Sequence, residues 1–195
     1  LRPLMPADLI APTPVAAPSK GAPQVSKAIK SLYKKAVESG RAGDVVTVIG
    51  DCNSEPPVFF GRMAAGMLNL DAYPELAAAA TYFAPAFQRV SQATHGSFSS
   101  AMAFDAAWSD PAKCQATEGP LACELRLSNA SIVVVALGTG DTFDWQSFEK
   151  NYRLIIDNAM KNNVVPVLMT KADALETQQG GAPADYINAV VRKLG

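Results

Sequence analysis

Charge is scarce in this chain, and imidazole almost absent. Its 195 residues include 17 Lys and Arg, 18 Asp and Glu, and a net charge of −1. So even a balance gives no electrostatic reason to expect a nucleic acid or an anionic membrane as partner. His95 is the only histidine, and Cys52, Cys114 and Cys123 are the only cysteines. They show no metal-ligand spacing, so no metal is expected. Neither Gly138-x-Gly140 nor Gly180-Gly181 belongs to a phosphate or dinucleotide fingerprint, so no cofactor is expected either. Long apolar runs are missing. Ser131–Leu137 is the strongest, far short of the roughly 18–20 residues that span a bilayer, so no transmembrane segment is expected. A basic start followed by an apolar block, the mark of a signal peptide, is also absent.

What the chain does have is apolar content, 49% of its residues, in a length that suits one domain with a proper core. Proline is distributed unevenly. Six of the 14 prolines (Pro3, Pro6, Pro12, Pro14, Pro18, Pro23) fall in residues 1–23. This Pro/Ala-rich stretch reads as an extended linker or strap, suited to self-assembly or to tethering another extracellular protein. The folded domain is expected over 24–195.

Within it, helical and strand periodicities alternate. Val25, Ile29, Leu32, Tyr33 and Ala36 recur at helical spacing, predicting an amphipathic helix over Ser26–Ser39 that ends at Gly40. Val45–Ile49 is apolar and β-branched throughout, as a strand covered on both faces would be. A loop or short helix is expected over Val58–Leu70, and a helix from Pro74 to about Phe87. Arg89–Thr94 reads as a short second strand and residues 97–128 as mostly loop. Ile132–Leu137 and Val164–Met169 read as buried strands. One helix carries Phe148, Tyr152, Ile155 and Ala159 on one face, and a last one runs from Ala184 to Leu194. Such alternation predicts a doubly wound parallel α/β sheet.

Open sheets of this kind bind ligands at the carboxyl ends of their strands. The turns there contain Gly50-Asp51-Cys52, His95-Gly96, Gly138-Thr139-Gly140-Asp141 and Thr170-Lys171-Ala172-Asp173. Right-handed crossovers would gather Cys52, Gly96, Gly140 and Asp141 on one rim. A thiolate at Cys52 is an adequate nucleophile, and a helix starting just after it would lower its pKa, while Asp51 would act in the opposite sense. His95 reads either as a substitute base or as a loop histidine beside a glycine turn. Lys171 and Asp173 read either as ligand contacts or as a solvated pair. Ser54, Ser97, Ser99 and Ser100 add hydroxyls, though turn serines ordinarily bond backbone. Cys114 and Cys123 flank Glu118-Gly119-Pro120, a turn that would let them meet. They are either a disulfide suited to an exported protein or two ordinary thiols. With the bridge, Cys52 is the odd cysteine out.

Gly50-Asp51-Cys52-Asn53-Ser54 at a strand end resembles the Gly-Asp-Ser block of the SGNH (GDSL-type) hydrolases. Gly96 resembles that family's glycine block, and Gly138-Thr139-Gly140-Asp141 its Gly-x-Asn-Asp block. The wording of residues 50–56 and of Pro120-Leu121-Ala122-Cys123-Glu124-Leu125-Arg126 is similar to a secreted SGNH-like group of Chloroflexi-type bacteria. The resemblance implies a three-layer, flavodoxin-like domain, an extracellular or cell-surface location, and acyl-ester hydrolysis without a cofactor. The substrate would be a small ester or an acylated glycan. It places Cys52 at the nucleophile position, with Cys52, Gly96 and Gly140 at the oxyanion positions. It also brings departures: Cys52 stands where the family has serine, and Gly140 where it has asparagine. The family's last strand and Asp-x-x-His block would fall beyond Leu194, leaving 24–195 incomplete at its C-terminal side. Hydrolysis is therefore expected to be weak or absent, and the alternative is a non-catalytic glycan-binding or structural subunit.

Overall fold

Three parallel strands organise the molecule: β1 (Ala42–Gly50), β2 (Ala130–Ala136) and β3 (Val165–Leu168), in the order β1-β2-β3. The computed structural model describes residues 25–172 and 176–195, so the strap over 1–23 and Asp173 lie outside the described residues. Val48 pairs with Val134, and Val134 in turn with Val167, setting the strands in register. Side chains alternate between the two faces. Ile49, Val133 and Val135 join one core with Leu121, Phe148, Tyr152 and Ile155. Val46, Val48 and Val134 join a second core with Phe60 and Ala86. Burial on both faces is why these strands read as unbroken apolar runs. Each fully buried side chain of this size contributes about 1.5–3 kcal/mol of transfer free energy.

The helices follow from the same periodicity. α1 (Lys27–Glu38) begins where Ser26 Oγ accepts from the Ile29 amide at 3.2 Å, an N-cap bond. α2 (Phe60–Ala64) and α3 (Ala77–Phe87) supply the apolar side chains of the second core. The Pro74 start expected for α3 is a 3-10 turn, Pro74–Leu76, leading into the helix. α5 (Trp145–Lys161) and α6 (Tyr186–Leu194) pack on the opposite face, with Trp145 edge-on to Tyr186 at 4.8 Å.

Two expectations are corrected. Arg89–Thr94 is not a ladder strand, because only an isolated parallel bridge joins Thr94 to Gly50. Ser91 Oγ donates to Val48 O at 2.6 Å and accepts from Ala93 N at 3.0 Å, so a serine hydroxyl takes the place of ladder bonds. Residues 97–128 are not mostly loop at their end: α4 (Pro120–Ser128) occupies the last third. Proline at its first position and left-handed Asn129 at its end are the local signals. Glu124, buried on α4, accepts from Thr47 Oγ1 at 2.6 Å and from Gln92 N at 2.7 Å, with Arg89 at 3.7 Å. One carboxylate thus ties α4, β1 and the Ser91 segment together.

Cys114 and Cys123 form a disulfide with Cα atoms 5.3 Å apart. Beside it, the Arg126 guanidinium donates to both Glu118 oxygens at 2.7 Å and, with the Gln115 amide, holds that carboxyl down at about 2. The bridge and ion pair pin the loop before α4 to the helix itself. The result is a mixed α/β architecture with an open parallel sheet and helices on both faces, compatible with a flavodoxin-like fold. Among the described residues, no helix is long and apolar enough to cross a membrane.

Candidate functional site at the carboxyl rim of the sheet

β1 stops at Gly50 because Ser54 folds back over it. A methyl group at Gly50 would lie 2.1 Å from Ser54 Oγ and 2.8 Å from Ala136 O, so only glycine fits. Asp51, buried at 3% exposure, accepts from Asn53 N at 3.0 Å and closes a three-residue 3-10 turn, Cys52–Ser54. The helix expected to start after Cys52 is therefore not there, and the next α-helix begins only at Phe60. Cys52 is a free, exposed thiol whose sulfur makes no hydrogen bond among the described residues.

The His95 segment touches the same strand end through its main chain. His95 N donates to Gly50 O at 3.3 Å, and Gly50 N donates to Ala93 O at 3.0 Å. The imidazole itself turns elsewhere. Nε2 lies 3.3 Å from Gln92 O, and the ring packs near Phe98 and Trp108, with centroids 5.3 and 6.2 Å away. Gly96 sits in open space, its nearest neighbour for an added methyl being Glu55 Oε1 at 3.8 Å.

Gly140 is the opposite case. A methyl there would meet Phe98 O at 2.3 Å and Ser97 O at 2.8 Å. The loop after β2 is thus pressed against the main chain after His95. Asp141 completes that contact. Its carboxylate, 2% exposed, accepts from Ser100 Oγ at 2.5 Å and from Ser100 N at 2.9 Å. Burial raises the Asp141 pKa, and the negative charges of Asp144 and Asp51 add to the rise, while the two Ser100 hydrogen bonds oppose it. Asp141 is in that sense a structural clasp between two rim loops.

A cleft of about 210 Å³ opens between the ends of the three strands. Asp51, Asn53 and Ser54 line it from the β1 side, Thr139 from the loop after β2, and Thr170 and Lys171 from the loop after β3. Phe59, Leu137 and Met169 give it apolar walls. Lys171 is held in place by Asn188 of α6. The amide accepts from Lys171 N and donates to Lys171 O, both at 2.9 Å, and Lys171 Nζ donates to Ala172 O at 3.1 Å.

The rim thus brings Asp51, Cys52, Gly96, Gly140 and Asp141 onto neighbouring turns. Of the residues singled out from sequence, Asp51, Ser54 and Lys171 line the cleft; Cys52, His95, Gly96, Gly140 and Asp141 do not. Sequence reasoning discounted Ser54 and Ser100 as turn serines and missed Asn188 and Phe59. The apolar run Val58-Phe59-Phe60 beside the Gly-Asp turn was the one signal that could have flagged the aromatic wall. Among the described residues, no group of three or more His, Cys, Asp and Glu side chains is placed to hold a metal ion. No family model matches the chain, and neither a curated protein nor a solved structure matches it at a significant level.

Proposed function

We propose that this chain is an exported SGNH-type domain, related by descent to acyl-ester hydrolases, whose rim cleft holds a small ester or an acylated glycan. The observation that carries the reading is the cleft itself. It lies at the carboxyl ends of β1, β2 and β3, beside a Gly-Asp-Cys turn like the family's first block. The disulfide between Cys114 and Cys123 supports export.

Hydrolysis by the described residues is weak on this reading. A base must reach its nucleophile within hydrogen-bond distance, and the only imidazole bonds Gln92 O instead of Cys52. Loss of one oxyanion donor, as glycine at 140 implies, typically costs about 10²–10³ in turnover. The test is the initial rate on p-nitrophenyl acetate and on acetylated xylan for the parent, Cys52→Ser and Cys52→Ala. A rate that survives in the serine variant and vanishes in the alanine variant supports a nucleophile at 52. Equal rates in all three remove Cys52 from the chemistry.

A second reading is a non-catalytic glycan-binding or structural subunit of an extracellular assembly. The main-chain oxygens of Phe98 and Ser97 favour it, since they leave no room at 140 for the family's asparagine. Ligand binding without turnover would select it.

A further inference from the structure

We infer that Ser54 and Asp51 of the rim cleft, rather than Cys52, are the groups that grip the ligand, and that the ligand presents a single hydroxylated sugar ring. The inference rests on the reading of the rim cleft as the binding site and names the chemistry it takes.

Ser54 is 3% exposed, lines the cleft, and its hydroxyl makes no hydrogen bond among the described residues. Asp51 is equally buried and lines the same cleft, and only its Oδ1 is engaged, by the Asn53 amide. Buried polar groups in folded proteins nearly always have partners, and two largely buried residues lining one cleft each keep an oxygen with no partner among the described residues, which points to a partner supplied from outside. No buried side-chain oxygen or nitrogen among the described residues is both sealed from solvent and unpaired, so these two oxygens keep access to solvent. Gly50 shows that the arrangement is built, because Ser54 Oγ occupies the space any side chain at 50 would need.

The donor set selects the ligand. Asp51 Oδ2 can only accept and needs a donor, whereas Ser54 Oγ both donates and accepts. An ester carbonyl brings no donor, but a pair of neighbouring sugar hydroxyls brings both functions. Asn53 and Thr139 at the lip add further amide and hydroxyl partners, and Phe59 and Met169 offer an apolar wall to the C–H face of a ring. A volume of about 210 Å³ lies under the ~300–1,000 Å³ of sites for drug-sized ligands, which suits one ring. Cys52 is exposed and contributes no wall to this cleft.

The experiment is a ¹H–¹⁵N NMR titration of the 195-residue chain. The probes are the methyl glycosides of glucose, galactose, mannose, xylose and N-acetylglucosamine, with sodium acetate as the acyl-side probe. Saturable shifts of the Asn53, Ser54 and Thr139 amides with at least one glycoside are expected. Ser54→Ala and Asp51→Asn should each weaken that binding about three- to tenfold, the effect of one lost hydrogen bond. The asparagine variant keeps the shape and the acceptor for Asn53, so it carries the test if Ser54→Ala misfolds. Binding unchanged in both variants, or no glycoside moving the cleft amides at tens of millimolar, overturns the inference. If acetate moves those amides and no glycoside does, the sugar assignment fails while the rim-cleft reading stands. If no probe of either class does, both fail.

Discussion

Placing asparagine at position 140, as in the Gly-x-Asn-Asp pattern, should damage this protein instead of activating it. The smaller change Gly140→Ala isolates the reason. Its new carbon would sit 2.3 Å from Phe98 O and 2.8 Å from Ser97 O, the first about 1.1 Å inside ordinary contact. Both obstacles are main chain, so no side-chain rotation relieves them. Ser100, two residues on from Phe98, is itself clasped by buried Asp141, which limits how far the loop can retreat. Overpacking of this kind costs about 1–3 kcal/mol, and the lack of a soft partner puts Gly140→Ala at the upper end. For a chain of this size that lowers Tm by about 6–12 °C. Gly140→Asn should lose at least as much, with no gain in ester turnover. Gly96→Ala is the matched control. Its methyl meets nothing nearer than Glu55 Oε1 at 3.8 Å, and Gly96 has no positive φ, so its stability should stay within about 1 kcal/mol of the parent. Thermal melts by circular dichroism and urea titrations read all three. A Gly140→Ala protein melting within a degree of the parent, or a Gly140→Asn protein with raised esterase rate, would refute the reasoning.

Glu124→Ala strands the Thr47 hydroxyl and the Gln92 amide together, and urea unfolding should show a loss of about 2–4 kcal/mol, with Glu124→Gln closer to the parent. Replacing both Cys114 and Cys123 by alanine opens a short covalent loop, and a loss of about 2.5 kcal/mol is expected in the same assay; no change would mean the ion pair of Glu118 and Arg126 already holds the loop. Without reductant, Ellman's reagent should titrate one thiol in the native protein and none in Cys52→Ala, since Cys52 is exposed and the other two cysteines are bridged. Burial raises the pKa of Asp141 above its ordinary 3.8, so the folded chain keeps this proton to a higher pH than the unfolded chain does. Stability should therefore fall as pH rises from about 3.8 through the raised value, and Asp141→Asn, which still accepts from Ser100, should remove that part of the fall. Parallel pH profiles for parent and variant would count against a raised Asp141.

The strand and helix positions were legible wherever hydrophobic period alone decides them. Val45–Ile49 and Ile132–Leu137 lie within or near β1 and β2, and the spacing of Phe148, Tyr152, Ile155 and Ala159 fits α5. α4 was not legible, because its buried face includes Glu124, a residue that counts as polar in any periodicity and is buried only through Thr47 and Gln92. Arg89–Thr94 misled for the converse reason: its residues suit a strand, but Ser91 bonds β1 through its side chain.

The candidate site divides along the same line. The sequence by itself determined that glycine-bearing turns end buried strands, and that Cys52, Gly140 and Asp141 belong to those turns, because chain order and period are local properties. Only the tertiary structure decided which side chains face inward. Asp141 meets Ser100 and Glu124 meets Thr47 across 41 and 77 residues of chain, and Asn188 reaches back to Lys171 from α6. Ser54 rather than Cys52 lines the cleft because the three-residue turn capped by Asp51 sets their directions, and residue type does not encode that choice.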